Sequence, residues 1–129
     1  MSKKSEMIQF WLKKSDEDIS MMKLLFVEKK YSYSLFFGQL ALEKLLKAIY
    51  IKKIDSSPPY IHNLNSLAKK SKIKIHETYN KELEEITQFN INARYDDYKD
   101  AFYKKATKEY ATKWIKIINK IKLCLKKEI

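Results

Sequence analysis

Apolar residues recur at three- and four-residue steps along this chain, broken by short polar or proline-marked intervals. That period predicts helices with one face in a core. The stretch Phe36 to Ile51, FFGQLALEKLLKAIYI, carries the pattern most clearly: Phe37, Leu40, Ala41, Lys44, Leu45 and Ala48 share a face. Gln39, Glu43 and Lys47 lie one turn apart on a second stripe of the same helix. Strong helix formers dominate it, and the predicted helix runs from Tyr31 to Ile54. Before it, residues 6 to 29 predict an amphipathic helix with Ile8, Trp11, Leu12, Ile19, Met22, Leu25 and Phe26 inward and Ser5 as N-cap. Asp18 falls seven residues after Trp11, near that face. The break at Glu28 to Tyr31 is short, so the two helices form a hairpin.

Asp55-Ser56-Ser57-Pro58-Pro59 is the strongest stop signal, because Pro58 holds its predecessor out of helix and the tandem prolines stiffen the chain. A short helix to about Lys70 follows, with Leu64, Leu67 and Ala68 inward. A fourth helix is expected from His76 to about Asn92, carrying Tyr79, Leu83, Ile86 and Phe89 or Asn90 at helical spacing. Asn92 to Tyr98 breaks the period and reads as irregular. The last helix is expected from about Lys104 to Lys126, with Tyr110, Trp114, Ile117, Ile118, Ile121 and Leu125 inside and Lys113, Lys116, Lys120 and Lys127 outside. These elements give an all-α fold, an up-and-down bundle of four to five helices in a single domain over residues 1–129. A single Gly and two Pro leave little turn chemistry for a many-stranded sheet.

Composition narrows the function classes. One cysteine, Cys124, makes no internal disulfide, and with two His there is no zinc set, so no metal or cofactor is expected. Cys124, between Leu123 and Leu125, reads as a small core residue, and Met21 and Met22 as core filler. The first residues lack the apolar core and cleavage site of a secretory signal, and no run reaches the roughly 18 apolar residues of a membrane span. A cytoplasmic protein is expected. The net charge of +11 suits nucleic acid, nucleotide phosphate or an acidic protein. Yet Arg94 is the only arginine, and a lysine-rich surface is equally what a solvated helical face looks like.

Arg94 is the foremost candidate for chemistry. It sits beside Tyr95, Asp96, Asp97 and Tyr98, and its planar fork of donors suits phosphate or carboxylate in a way lysine cannot match. A structural salt bridge to a nearby aspartate is the competing reading. If the second helix is central, the Gln39–Glu43–Lys47 stripe faces a cleft, and a Glu43–Arg94 ion pair positions the guanidinium; otherwise Glu43 pairs with Lys47 on the surface. His62 is either a general base or, the preferred reading, a residue that bonds or caps the backbone where the third helix begins. Tyr95 and Tyr98 offer rings for base stacking, or bury them with the hydroxyl kept wet.

Trp11 with Asp18, then Tyr33-x-x-Phe36-x-x-Gln39-x-Ala41-x-Glu43-Lys44-x-Leu46-Lys47-Ala48, then Pro59-x-x-His62-x-Leu64-x-x-Leu67, then Ala93-Arg94-Tyr95 resemble the HEPN domain, in the right order and over roughly residues 8 to 125. The resemblance implies a helical bundle that forms a symmetric dimer with its cleft near the two-fold. It further implies a partner nucleotidyltransferase of the MNT type in a toxin–antitoxin setting, and metal-independent RNase activity in the active toxins. Their motif is Arg followed four to six residues later by His. Arg94 matches the arginine as the catalytic candidate, but positions 98 to 101 read Tyr, Lys, Asp and Ala, so the RNase motif is incomplete. In some members a tyrosine near the motif receives nucleotides from the partner, and Tyr98 lies near that place. The ligand-binding set expected is Gln39, Glu43, Lys47, Arg94, Tyr95 and Tyr98, with His62 and Asp18 structural or accessory. A nucleotide- or RNA-phosphate-binding protein is the leading expectation. An RNase toxin and a purely structural interaction protein are the alternatives.

Overall fold

The computed structural model describes residues 2–129 and contains, among them, helices only. In order these are α1 (Lys3–Val27), α2 (Tyr31–Lys53), α3 (Leu64–Lys70), α4 (Ile75–Thr78), α5 (Asn80–Arg94), α6 (Asp96–Lys105) and α7 (Lys108–Lys126). The all-α expectation holds, with more and shorter pieces than the periodicity showed.

α2 is the axis of the bundle: α1, α3, α5, α6 and α7 all pack on it. Leu35, Leu42, Leu45, Leu46 and Ile49 along it are fully buried, which is why its apolar positions outnumber what one face could hold. Gly38 sits where three helices meet; a Cβ there would lie 2.6 Å from Ile118 Cδ1 of α7 and 3.0 Å from Met22 Sδ of α1. The single glycine thus permits close approach rather than a turn. Phe89 of α5 extends the core, stacking on Phe102 of α6 and meeting Trp114 of α7 edge-on.

The α1–α2 connection closes without glycine. Lys29 adopts φ 62, Lys30 N–H donates to Leu25 O and Lys29 N–H to Phe26 O, the double bond pattern that ends many helices. Lys72 (φ 58) repeats it after α3.

Five sequence expectations need correction here. Ser2, not Ser5, caps α1, its hydroxyl accepting from Ser5 N–H at 3.1 Å. The expected fourth helix is divided at Tyr79 into α4 and α5. The expected irregular segment from Asn92 to Tyr98 is helical except at Tyr95, which alone joins α5 to α6. The period failed there because α6 buries only Phe102, so its sequence repeats no inward apolar position. Met22 is buried as expected, but Met21 is exposed, and Cys124 is half-buried with its Sγ 3.9 Å from the Tyr79 hydroxyl. The outer lysines of α7 are exposed, a solvated face. No helix among the described residues is long and apolar enough to cross a membrane.

Candidate functional site

Because α2 is covered on several sides, its second stripe does not reach bulk solvent. Gln39, Glu43 and Lys47 are all buried, at 0%, 3% and 7% exposure. Burying a carboxylate and an ammonium is tolerable only if both are paired and hydrogen-bonded, and they are. Glu43 Oε2 takes the Lys47 ammonium at 3.2 Å, while Glu43 Oε1 accepts from Gln39 Nε2 at 3.1 Å and lies 2.9 Å from His62 Nδ1.

The Asp55–Pro59 stop delivers His62. It turns the chain back so that His62 O accepts a second bond from Gln39 Nε2 at 3.0 Å. Asn63, not His62, caps α3, accepting from Ser66 N–H. The backbone-capping role preferred for His62 is therefore replaced by a side-chain bond to a buried carboxylate. With that carboxylate ionised, Nδ1 is the donor, and Nε2 is the ring's free nitrogen on a side chain 46% exposed.

Lys47 is held by more than its carboxylate. Its Nζ lies 5.1 Å from the Trp11 ring centroid and 5.4 Å from that of Tyr60, a ring 95% exposed. On the other side of the network, Asn90 Nδ2 donates to Gln39 Oε1 at 3.0 Å, while the buried Asn90 Oδ1 has no partner among the described residues. One turn further along α5, Arg94 Nε donates to Asn90 O at 3.4 Å and the guanidinium lies 5.2 Å from the Tyr95 ring.

The expected Glu43–Arg94 ion pair is absent. Glu43 already has three partners from α2 and the His62 loop, whereas Arg94 ends α5 on an exposed turn. Nor does Arg94 pair with Asp96 or Asp97: it has no carboxylate partner among the described residues, and Asp96 pairs weakly with Lys99 at 3.4 Å. Tyr95 and Tyr98 are each 52% exposed beside it. Thus Gln39, Glu43, Lys47 and His62 form one network, Arg94, Tyr95 and Tyr98 form an exposed elbow, and Asn90 joins the two. Asp18 belongs to neither. It pairs with Lys44 at 2.5 Å between α1 and α2, and burial pushes its carboxyl above the ordinary range against the pull of Lys44.

The sequence named Asn90 only as an alternative to Phe89 at an inward helical position, gave Tyr60 no role, and gave Trp11 none beyond the apolar face of α1 and the family resemblance. The available signal was an asparagine at an inward helical position, a residue type that seldom enters a core without a polar partner. Chemically the arrangement offers an unpaired guanidinium for an anion, exposed tyrosine rings for a flat ligand, and an imidazole oriented by a carboxylate.

The HEPN domain family model matches residues 8–129. No curated protein matches the chain. Among solved structures it is similar to TT1696 from Thermus thermophilus, with a TM-score of 0.80 at 16% identity over 95% of this chain and 98% of that one. At that identity the likeness shows the bundle fold.

Proposed function

The chain belongs to the HEPN domain family, and from that premise we propose that it binds the phosphate of a nucleotide or RNA at the Arg94 elbow. The carrying observation is that its only arginine is exposed with no carboxylate partner, set over Tyr95 and tied through Asn90 to the buried network. A guanidinium not consumed by an internal ion pair keeps its donors for an outside anion. Tyr95 and Tyr98 supply stacking surfaces. Gln39, Glu43 and Lys47 hold α2, α5 and the His62 loop in register beneath the elbow. We place this protein as a symmetric dimer partnered with an MNT-type nucleotidyltransferase in a toxin–antitoxin pair. The exposed Phe10, Leu24 and Val27 of α1 support a further packing partner. The test is binding of a mononucleotide and of short RNA to wild type and Arg94→Ala. Binding that survives the substitution removes the assignment.

A second reading is favoured by one contact, Glu43 to His62. The RNase motif lacks its histidine after Arg94, but His62 is an imidazole oriented by a buried carboxylate on the same network. In an RNase, His62 Nε2 takes the proton of the 2′-hydroxyl as its oxygen attacks phosphorus and Arg94 steadies the phosphate; the P–O5′ bond breaks to leave a 2′,3′-cyclic phosphate, and the departing 5′-oxygen takes a proton from the imidazolium or from water. RNA cleavage lost in both Arg94→Ala and His62→Ala supports it; RNA left intact by wild type rules it out. A chain that neither binds nor cleaves would be an interaction protein only.

A further inference from the structure

We propose that the seam between α1 and α7 is a docking groove for an acidic amphipathic helix of a partner protein. The two helices both pack on α2 but scarcely on each other. Between them lies an open cavity of about 410 Å³, whose floor reaches Leu45 of α2, a residue at 0% exposure. Leu12 of α1 and Ile129, just past α7, complete the apolar part of the lining. The one ion pair that crosses the seam among the described residues is Lys126 with Asp16 at 3.6 Å. Both of its side chains are largely in solvent, so it holds the seam only weakly.

Charge is the independent observation. Lys13 and Lys126 stand at the rim of the cavity, where Asp16 is the single acidic side chain. Further along the seam, Lys122 of α7 is half-buried. Neither it nor Lys23 of α1 has a carboxylate partner among the described residues. Burial, then the charges of Lys126 and Lys23, pulls the Lys122 ammonium below its ordinary value of 10.5, against the weaker effect of Asp16. A cation partly removed from water and set beside two others is destabilised until an anion joins them. From Gln9 to Lys23 the seam follows about 21 Å of α1, roughly four turns.

An apolar floor between cationic rims selects the occupant. No aromatic side chain lines the cavity, so a nucleotide base finds no ring to stack on, and a phosphate backbone gains nothing from a leucine floor. A helix with leucines or isoleucines on one face and carboxylates beside them fills the floor and neutralises the rims, the helix-in-groove mode of recognition. Two helices spread over a third present the kind of groove into which the side-chain ridge of another helix packs. No residue of this groove belongs to the Arg94 elbow or to the Glu43 network.

The probe is a synthetic amphipathic helix of about 18 residues, with leucines on one face and glutamates flanking them, titrated against the full chain by fluorescence anisotropy. The expected result is saturable binding, at least about tenfold tighter than for the same peptide with lysine in place of glutamate. Lys23→Glu/Lys122→Glu should reverse that preference. Lys116→Glu/Lys120→Glu makes the same change in net charge on the outer face of α7 and should leave the preference in place. Gln9→Trp fills the cavity from its rim and should weaken the glutamate peptide at least about tenfold. Lys122→Met should raise Tm, because it removes a half-buried charge without a counter-charge, while it weakens the glutamate peptide. The proposal is overturned if neither peptide binds, if both bind alike, or if the outer-face pair matters as much as the seam pair. It is equally overturned if Gln9→Trp folds and binds as wild type does, or if Lys122→Met lowers Tm and leaves binding unchanged. Displacement of the glutamate peptide by a short single-stranded RNA also overturns it, giving the groove to nucleic acid.

Discussion

His62 Nδ1 lies 2.9 Å from Glu43 Oε1, joining the loop after the tandem prolines to the middle of the central helix. That contact exists because α2 buries a carboxylate that has to be satisfied from outside its own helix as well as within it. Glu43→Gln would keep the shape but leave the Lys47 ammonium buried without its counter-charge. Removing one partner of a buried pair costs about 3–5 kcal/mol, and the Trp11 and Tyr60 rings offset a part of this. We expect Glu43→Gln to lose about 3 kcal/mol in urea denaturation, and Glu43→Gln/Lys47→Met to regain most of it. A loss in the double variant equal to the sum of the Glu43→Gln and Lys47→Met losses would show that the pair is not coupled.

Arg94 predicts a different profile. It is exposed and its one internal bond is long, so Arg94→Ala should change stability by no more than about 0.5 kcal/mol. Ligand binding at the elbow should nonetheless fall, and Arg94→Lys should restore it only in part, since a point charge cannot replace the fork. Parallel denaturation and nucleotide titration check both halves. A large stability loss would make Arg94 a structural residue.

The Glu85–Tyr110 pair predicts a pH dependence. The Tyr110 hydroxyl donates to Glu85 Oε2 at 2.5 Å and holds that carboxyl below its ordinary value of 4.5, with help from Lys105 and against burial. A lowered carboxyl pKa contributes stability that is fully present above the unfolded value and is lost as pH falls through the folded one. Tyr110→Phe should therefore cost roughly 1 kcal/mol near neutral pH, with the gap to wild type closing as the pH drops below 4.5. Burial, then Glu85, pushes the Tyr110 phenol above its ordinary value of 10.0, so it should be among the last tyrosines to ionise in an alkaline absorbance titration. A gap that is constant from neutral to acid pH would contradict the assignment.

Gly38 tests the packing. Alanine is the better helix former by about 1 kcal/mol, but its Cβ would sit 2.6 Å from the buried Ile118 Cδ1, and overpacking costs about 1–3 kcal/mol. We expect Gly38→Ala to be net destabilising. Ile118→Val removes the clashing methyl, so the double variant should be more stable than the sum of the single effects allows. Additive effects in denaturation would show that the contact is not the cause.

Much of the bundle was legible from spacing. The bounds of α2 and α3, the hairpin at Glu28 to Tyr31 and the inner face of α7 follow from which side chains recur at the helical period, a local property of the chain. α6 was not legible because a helix that buries a single Phe102 carries almost no periodic signal, and its stability comes from being docked.

The residues Gln39, Glu43, Lys47, His62 and Arg94 could be named from the chain, but not their partners. Sequence by itself determined that α2 carries a polar stripe and that the one arginine stands where the helical period breaks before the last helix. Only the tertiary structure decided that the stripe is buried, that Asn90, 51 positions from Gln39, closes the network, and that Arg94 is left without a carboxylate. Helical period is set within a few turns of one segment, whereas the choice of partner depends on how separate helices dock, and side chains far apart in the chain meet only once those helices have packed.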